Sequence, residues 1–265
     1  MPGLTFRVWT CRAEFEARAP LRFPALAGNA FRGALGYRLP PHVFSPRADL
    51  GPSGLRDRPR PFVLRAAHLD SLSLAPGARF ELRLNVFAEA ALGPLRAALD
   101  GLGVQGAGLL LDDFSARLIN VDLSARDTAP ARVRVLLRTP LEMKGWSGAG
   151  LPPFAVLAAR LRDRVSALGA FYQGGAPEFD FTGLAQRAAA VEAREGRLET
   201  KTTVRRSRRT DRTNPMGGLV GWVDYEGPLA EFVGLLEAGY WTGVGRHTVW
   251  GQGWIERQTR PAGED

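Results

Sequence analysis

Proton chemistry has few carriers in this 265-residue chain: three histidines, His42, His68 and His247, and a single cysteine, Cys11. An imidazole titrates near neutrality and can pass a proton either way. Arginine is abundant instead, and Lys144 and Lys201 are the only lysines. The densest cluster, Lys201–Arg212, sets Arg205, Arg206, Arg208, Arg209 and Arg212 against one carboxylate, Asp211. If it is extended, Arg205 and Arg209 face one way while Arg206 and Arg208 face the other. Such a segment reads as a solvated ribbon or loop, and guanidinium forks match phosphate geometry. A second segment, Gly239–Gly253, brackets Arg246, His247 and Trp250 between the pairs Gly243/Gly245 and Gly251/Gly253. Glycine admits positive φ, and successive N–H groups can form an anion-binding concavity. Both segments fit a polyanionic ligand.

The formal charge of +8 and pI near 10.6 agree, with nucleic acid the first candidate. A base-composition bias toward Arg, Ala, Gly and Pro codons is the competing explanation. One cysteine excludes an intramolecular disulfide and a thiolate zinc cluster. No D-x-D, H-E-x-x-H or G-x-S-x-G occurs, so neither metal catalysis nor a serine hydrolase is supported. No cofactor is expected. Asp112-Asp113 reads as a turn. Neither a signal-peptide core nor an apolar run of about 18 residues is present, so a soluble cytoplasmic protein without a membrane partner is expected.

These residues need elements to hold them. Residues 4–18, 62–69, 79–87 and 113–124 read as strands, the third by alternation of Phe80, Leu82, Leu84 and Val86 with polar neighbours. Gly28–Leu39 reads as a helix capped by Asn29 and stopped by Pro40-Pro41, and 40–61 as a loop carrying His42. Residues 89–100 look helical. Gly101–Gly108 formally contains G-x-G-x-x-G, but it follows a helix and precedes strands, so it reads as a turn with closely packed backbones. The Asp127–Pro130 stretch reads as a boundary between units at 1–126 and 131–258. The second unit opens with a strand at 132–138. A helical insertion of about 150–197 follows, with helices at 154–172 and 182–195. Then come the Arg-rich ribbon (201–212), a strand at 218–226, a helix at 228–238, the Gly-rich loop (239–253) and a strand at 253–256. Each half thus runs β-α-β-β-α-β, which predicts an α+β protein of two tandem ferredoxin-like (RRM-like) units.

Several of these stretches, in this order, resemble the CRISPR repeat-processing endoribonucleases of the RAMP (repeat-associated mysterious protein) superfamily. They are Leu26–Gly36 (L-A-G-N-A-F-R-G-A-L-G), Arg60–Leu64, the Gly101–Gly108 turn, Leu136–Lys144, Arg206–Arg208, Gly217–Gly221 and Gly243–Gly253. The arginine bias resembles that of divergent type IV members. The resemblance implies binding of a CRISPR repeat stem-loop RNA and metal-independent cleavage to mature guide RNA. It also implies that the product stays bound and that other effector-complex subunits are partners. A non-catalytic guide-RNA-binding subunit with the same fold is the alternative.

Cleavage of this kind uses the RNA 2′-OH as nucleophile. It requires proton transfer at that oxygen and at the leaving 5′-oxygen, and stabilisation of the phosphorane. By the resemblance, catalytic residues lie on the first helix and the loop after it, which selects Tyr37, Arg38 and His42; His247 in the Gly loop is the other candidate. Each of these has a plainer reading as a packing or surface residue, and His68 reads as structural. Arg32, Arg38 and Arg246 are phosphate candidates, and the glycines Gly243, Gly245 and Gly251 shape the loop. Trp146, Trp222, Trp241 and Trp250 could stack bases or simply pack, with Trp250 the best placed.

Overall fold

The computed structural model describes residues 4–47, 58–127, 130–146, 150–206 and 213–259. The first half carries β1 (Thr5–Ala17), β2 (Leu21–Arg22), α1 (Ala27–Leu35), α2 (Pro41–Phe44), β3 (Phe62–Arg65), β4 (Ser73–Leu74), β5 (Arg79–Val86), α3 (Leu92–Leu99), β6 (Gly103–Val104) and β7 (Ala107–Asp122). The second carries β8 (Arg132–Leu141), α4 (Phe154–Tyr172), α5 (Phe181–Ala189), β9 (Glu192–Arg206), β10 (Thr213–Glu226), α6 (Val233–Thr242) and β11 (Ile255–Thr259). The two large sheets run β3-β5-β1-β7-β6 and β11-β8-β10-β9, antiparallel throughout. Each half places its first and third long strands at the centre, the ferredoxin-like order, so the chain holds two such units in tandem.

Strand alternation explains how they stack. On β1, Cys11, Ala13, Phe15 and Ala17 point one way, into a core with Phe31 and Leu35 of α1 and Leu95 and Leu99 of α3. Phe6 and Val8 point the other way and join a second core with Leu157 and Leu161 of α4, Leu235 and Leu236 of α6, and Val133 and Val135 of β8. The layers are therefore helices, first sheet, helices, second sheet. The apolar stripe expected on 154–172 is the buried face of α4: Phe154, Leu157, Leu161, Val165 and Leu168. Among the described residues no helix is long and apolar enough to cross a membrane.

Several expectations are corrected. α1 ends at Leu35, and Pro41–Phe44 forms a short helix, α2, where a loop was expected; Pro41 suits its first turn. The residue before α1 is Leu26, not Asn29, and the Ala27 amide is held by the Asp70 carboxylate at 2.8 Å instead. The helix expected at 182–195 stops at Ala189, and Glu192 opens β9, because pairing along β10 overrides the helix propensity of Glu-Ala-Arg-Glu. The helix expected at 228–238 lies at Val233–Thr242, so Gly239 is helical. A Cβ on Gly239 would sit 2.6 Å from Leu161 Cδ2 and 2.8 Å from Ile255 Cδ1; this glycine permits close packing and does not open a loop. Lys201–Arg206 continue β9 as the edge strand of its sheet. Asp112-Asp113 sit inside β7 at its bulge rather than in a turn.

Candidate functional site

α6 delivers the chain into the Gly loop, and the loop crosses to the first unit. Gly243, Gly245, Gly251 and Gly253 take φ of +66°, +81°, +86° and +66°. His247 also lies in the left-handed region, at φ 61°, and leads into a 3-10 turn at Thr248–Trp250. A non-glycine residue there carries strain that its surroundings must hold. They do so through backbone pairs: Val244 N–H to Gly253 O at 2.9 Å, Arg246 N–H to Glu142 O at 2.9 Å and Gly253 N–H to Pro140 O at 3.0 Å. The Thr139 hydroxyl adds a bond to Gly251 O at 2.8 Å. The amides of Gly243, Trp250 and Gly251 likewise donate to backbone carbonyls. Six of the loop's N–H groups are thus satisfied internally and are not open to an anion.

What the loop presents is side chains. His247 stacks on Trp250 with centroids 4.6 Å apart and planes within 7°. The Arg32 guanidinium lies 5.0 Å from the Trp250 ring and 5.1 Å from the Phe44 ring, and Arg60 lies 4.8 Å from Phe44 on α2. A ladder of His247, Trp250, Arg32, Phe44 and Arg60 thus runs from the second unit across α1 onto α2, each step a stacking or cation–π contact. Gly28 makes the crossing possible, since a Cβ there would collide with the Trp250 carbonyl. Behind the loop, Glu142 Oε1 holds Arg246 Nη1 at 2.6 Å, and its Oε2 lies 3.9 Å from His247 Nε2.

The structure brings together Arg32, His247 and Trp250 of the expected residues, with Arg246 beside them through Glu142. Arg38 is directed elsewhere: its Nε and Nη2 donate to Ala98 O at 2.9 Å and Asp100 O at 2.6 Å, closing the end of α3. Tyr37 projects into solvent, 88% exposed. His42 is exposed on α2, two residues before Phe44, and so turned away from the ladder face. His68 Nε2 donates to Glu81 O at 2.9 Å, a structural place. Trp222 lies under the Arg134 guanidinium at 3.6 Å, Trp241 packs edge-on to Tyr240, and Trp146 packs on the second core. Arg205 and Arg206 end β9, while Arg208, Arg209 and Arg212 lie outside the described residues. Glu142, Phe44 and Arg60 were assigned no role; Arg60 and Glu142 lie in stretches that carry the resemblance, but neither their type nor their spacing marked them as site residues. Among the described residues no group of three or more His, Cys, Asp or Glu side chains could hold a metal ion.

Residues 135–255 match the family model of the CRISPR-associated endoribonuclease Cas6. No curated protein matches in sequence. Among solved structures, a Cas6 product complex is 18% identical with a TM-score of 0.59, over 95% of this chain and 99% of that chain. Thermus thermophilus Cas6 is 18% identical with a TM-score of 0.56, over 95% and 98%. A partial Cas6-RT-Cas1–Cas2 complex is 11% identical with a TM-score of 0.62, over 100% of this chain and 48% of that chain. Residues 135–255 are thus similar in sequence to the CRISPR-associated endoribonuclease Cas6 family, and nearly the whole chain shares the fold of solved Cas6 structures.

Proposed function

We propose that this protein binds CRISPR repeat stem-loop RNA and cleaves it, without a metal ion, by attack of the RNA 2′-OH on the adjacent phosphate. The observation that carries the reading is the ladder joining His247 and Trp250 to Arg32, in a chain whose second half matches an endoribonuclease family. The arginines of the β9–β10 segment, Arg205, Arg206, Arg208, Arg209 and Arg212, hold the RNA backbone. Arg32 and Arg246 neutralise charge at the scissile phosphate, and Trp250 offers an aromatic edge to the RNA. Gly243, Gly245 and Gly251 give the loop the shape that presents these side chains.

His247 in the ladder and His42, on the exposed side of α2, exchange protons with the 2′-OH and the leaving 5′-oxygen. The carboxylate of Glu142, with Oε2 3.9 Å from His247 Nε2, helps hold the imidazole in place. Tyr37, beside α1, reaches RNA from solvent, and Arg38 acts by holding α3 against α1. The cleaved RNA stays on the arginine surface, and further subunits of a CRISPR effector complex assemble around it.

Cleavage of repeat RNA in EDTA tests the reading. Wild-type protein is expected to cut, and His42→Ala and His247→Ala are each expected to slow single-turnover cleavage by about 10²–10⁴. Absence of cleavage across several repeat sequences would sink the enzyme claim. A second reading, a non-catalytic guide-RNA-binding subunit, is favoured by one observation: Arg38 is engaged on α3 and Tyr37 projects away, so the four candidates do not form one cluster. Tight binding of repeat RNA with no cleavage is its signature.

A further inference from the structure

A helix leaves its last four carbonyls without intrahelical partners. In α6 those belong to Gly239, Tyr240, Trp241 and Thr242, immediately before the Gly loop. Gly239 O accepts from Gly243 N–H at 2.9 Å. The other three are all taken by side chains from distant elements. Arg65 of β3 donates through Nη2 to Tyr240 O at 2.5 Å and Trp241 O at 3.0 Å. Asn85 of β5 donates to Trp241 O at 2.8 Å, and Arg164 of α4 donates to Thr242 O at 3.0 Å.

Arg65 and Asn85 belong to the first unit and stand on the sheet face that meets the second. Both are buried, at 6% and 4% exposure. Among the described residues, neither Arg65 nor Arg164 is bonded to a carboxylate. Burial pulls the Arg65 guanidinium down to about 9 and Arg164 down to about 10, and the two repel each other. Two cations near one helix end, without an anion, are costly to bury. The negative end of the helix dipole and the orphan carbonyls are what they are held against. Fastening a helix end for stability alone needs no charge, because an amide such as Asn85 already serves Trp241 O. Arginine directs the two N–H groups of one planar nitrogen, Nη2, at two successive carbonyls and so fixes the direction in which the chain leaves the helix.

We infer that Arg65, with Asn85, is a positioning residue: from the first unit it sets the exit of α6 and thereby the placement of the loop that carries His247. This rests on the endoribonuclease reading for its consequence and on the geometry alone for its existence. Gly251, at the far end of the loop, marks β3 as the reference surface. A Cβ there would sit 2.8 Å from Leu64 O, so the loop touches β3 one residue from Arg65.

The test uses the full-length chain with Arg65→Met, Arg65→Lys and Asn85→Ala. In Arg65→Met, amide exchange of peptides covering 243–254 is expected to accelerate while peptides from β1 and α4 keep their protection. The single-turnover rate is expected to fall roughly ten- to a hundredfold from misplacement of the loop, with the RNA Kd within about threefold of wild type. Arg65→Lys, which keeps the charge but loses the planar, fixed direction of the two N–H groups, is expected to fall between. Unchanged exchange over 243–254, or equal loss of protection in both sheets, overturns the inference. If Arg65→Met does not fold, the same local acceleration in Asn85→Ala supports the inference and its absence overturns it. Exchange needs no RNA, so a wild-type protein that does not cleave would refute the enzyme reading and leave this inference to its own result.

Discussion

Two glycine-rich connections occupy equivalent places in the two units, each after the last helix and before the last long strand. In the first, Gln105 and Gly106 take φ of 53° and 84°, the pair of positive values of a tight hairpin between β6 and β7. Cβ atoms on Gly106 and Gly108 would meet nothing within 4 Å, so the close backbone packing expected there is absent. In the second, Cβ atoms on Gly245 and Gly253 would collide with the carbonyls of Glu142 and Val244. The first set of glycines serves backbone conformation alone; the second serves conformation and close approach to neighbouring backbone. Crowding, not glycine content, separates a turn from a loop built to present side chains.

That comparison can be broken at its strongest point by Gly28→Leu, which pushes the Trp250 turn off α1. Repeat-RNA cleavage is expected to drop about a hundredfold, since small misplacements at a site are costly. Near-normal single-turnover rates in this variant would mean that the contact between α1 and the loop is incidental. A smaller effect is expected from Arg208→Ala with Arg209→Ala. RNA affinity should weaken for all sequences alike, and the slope of log K against log salt should fall by about 0.7 for each phosphate that is no longer neutralised. Titrations at several salt concentrations decide this, and an unchanged slope would detach the cluster from the backbone. The smallest effect belongs to the first connection. Gly106→Ala should cost about 1 kcal/mol of stability, measured by urea unfolding, and leave cleavage unchanged. Cys11 is a built-in control in that experiment: burial pushes its thiol up to about 12, so it should resist alkylation at pH 8 as long as the first sheet stays closed.

The fold was largely legible because periodicity reports burial. Phe80-Leu82-Leu84-Val86 and the α4 stripe announced their faces, and the β-α-β-β-α-β order followed. Helix ends were less legible. Gly239 looked like a loop residue because sequence cannot distinguish a glycine needed for positive φ from one needed for close packing. The site was legible only in part. His247, Trp250 and Arg32 stood out by type, but Glu142, Phe44 and Arg60 became visible only when folding brought distant positions together, as with Glu142 and Arg246, 104 residues apart. Arg38 looked like a phosphate ligand because charge is visible in sequence and the carbonyls of Ala98 and Asp100 are not.

β1 has a consequence for how the molecule assembles. Its two ends feed different cores, Phe15 the first and Phe6 and Val8 the second, so one strand is shared between them. A cut at the Asp127–Pro130 link would separate the chain but not the hydrophobic interior. The second unit alone would lose Phe6, Val8, Val63, Phe87 and Val121 from its core and expose their partners on α4 and α6. The two halves are therefore expected to melt as one cooperative body, and each, made separately, to aggregate unless the other is supplied.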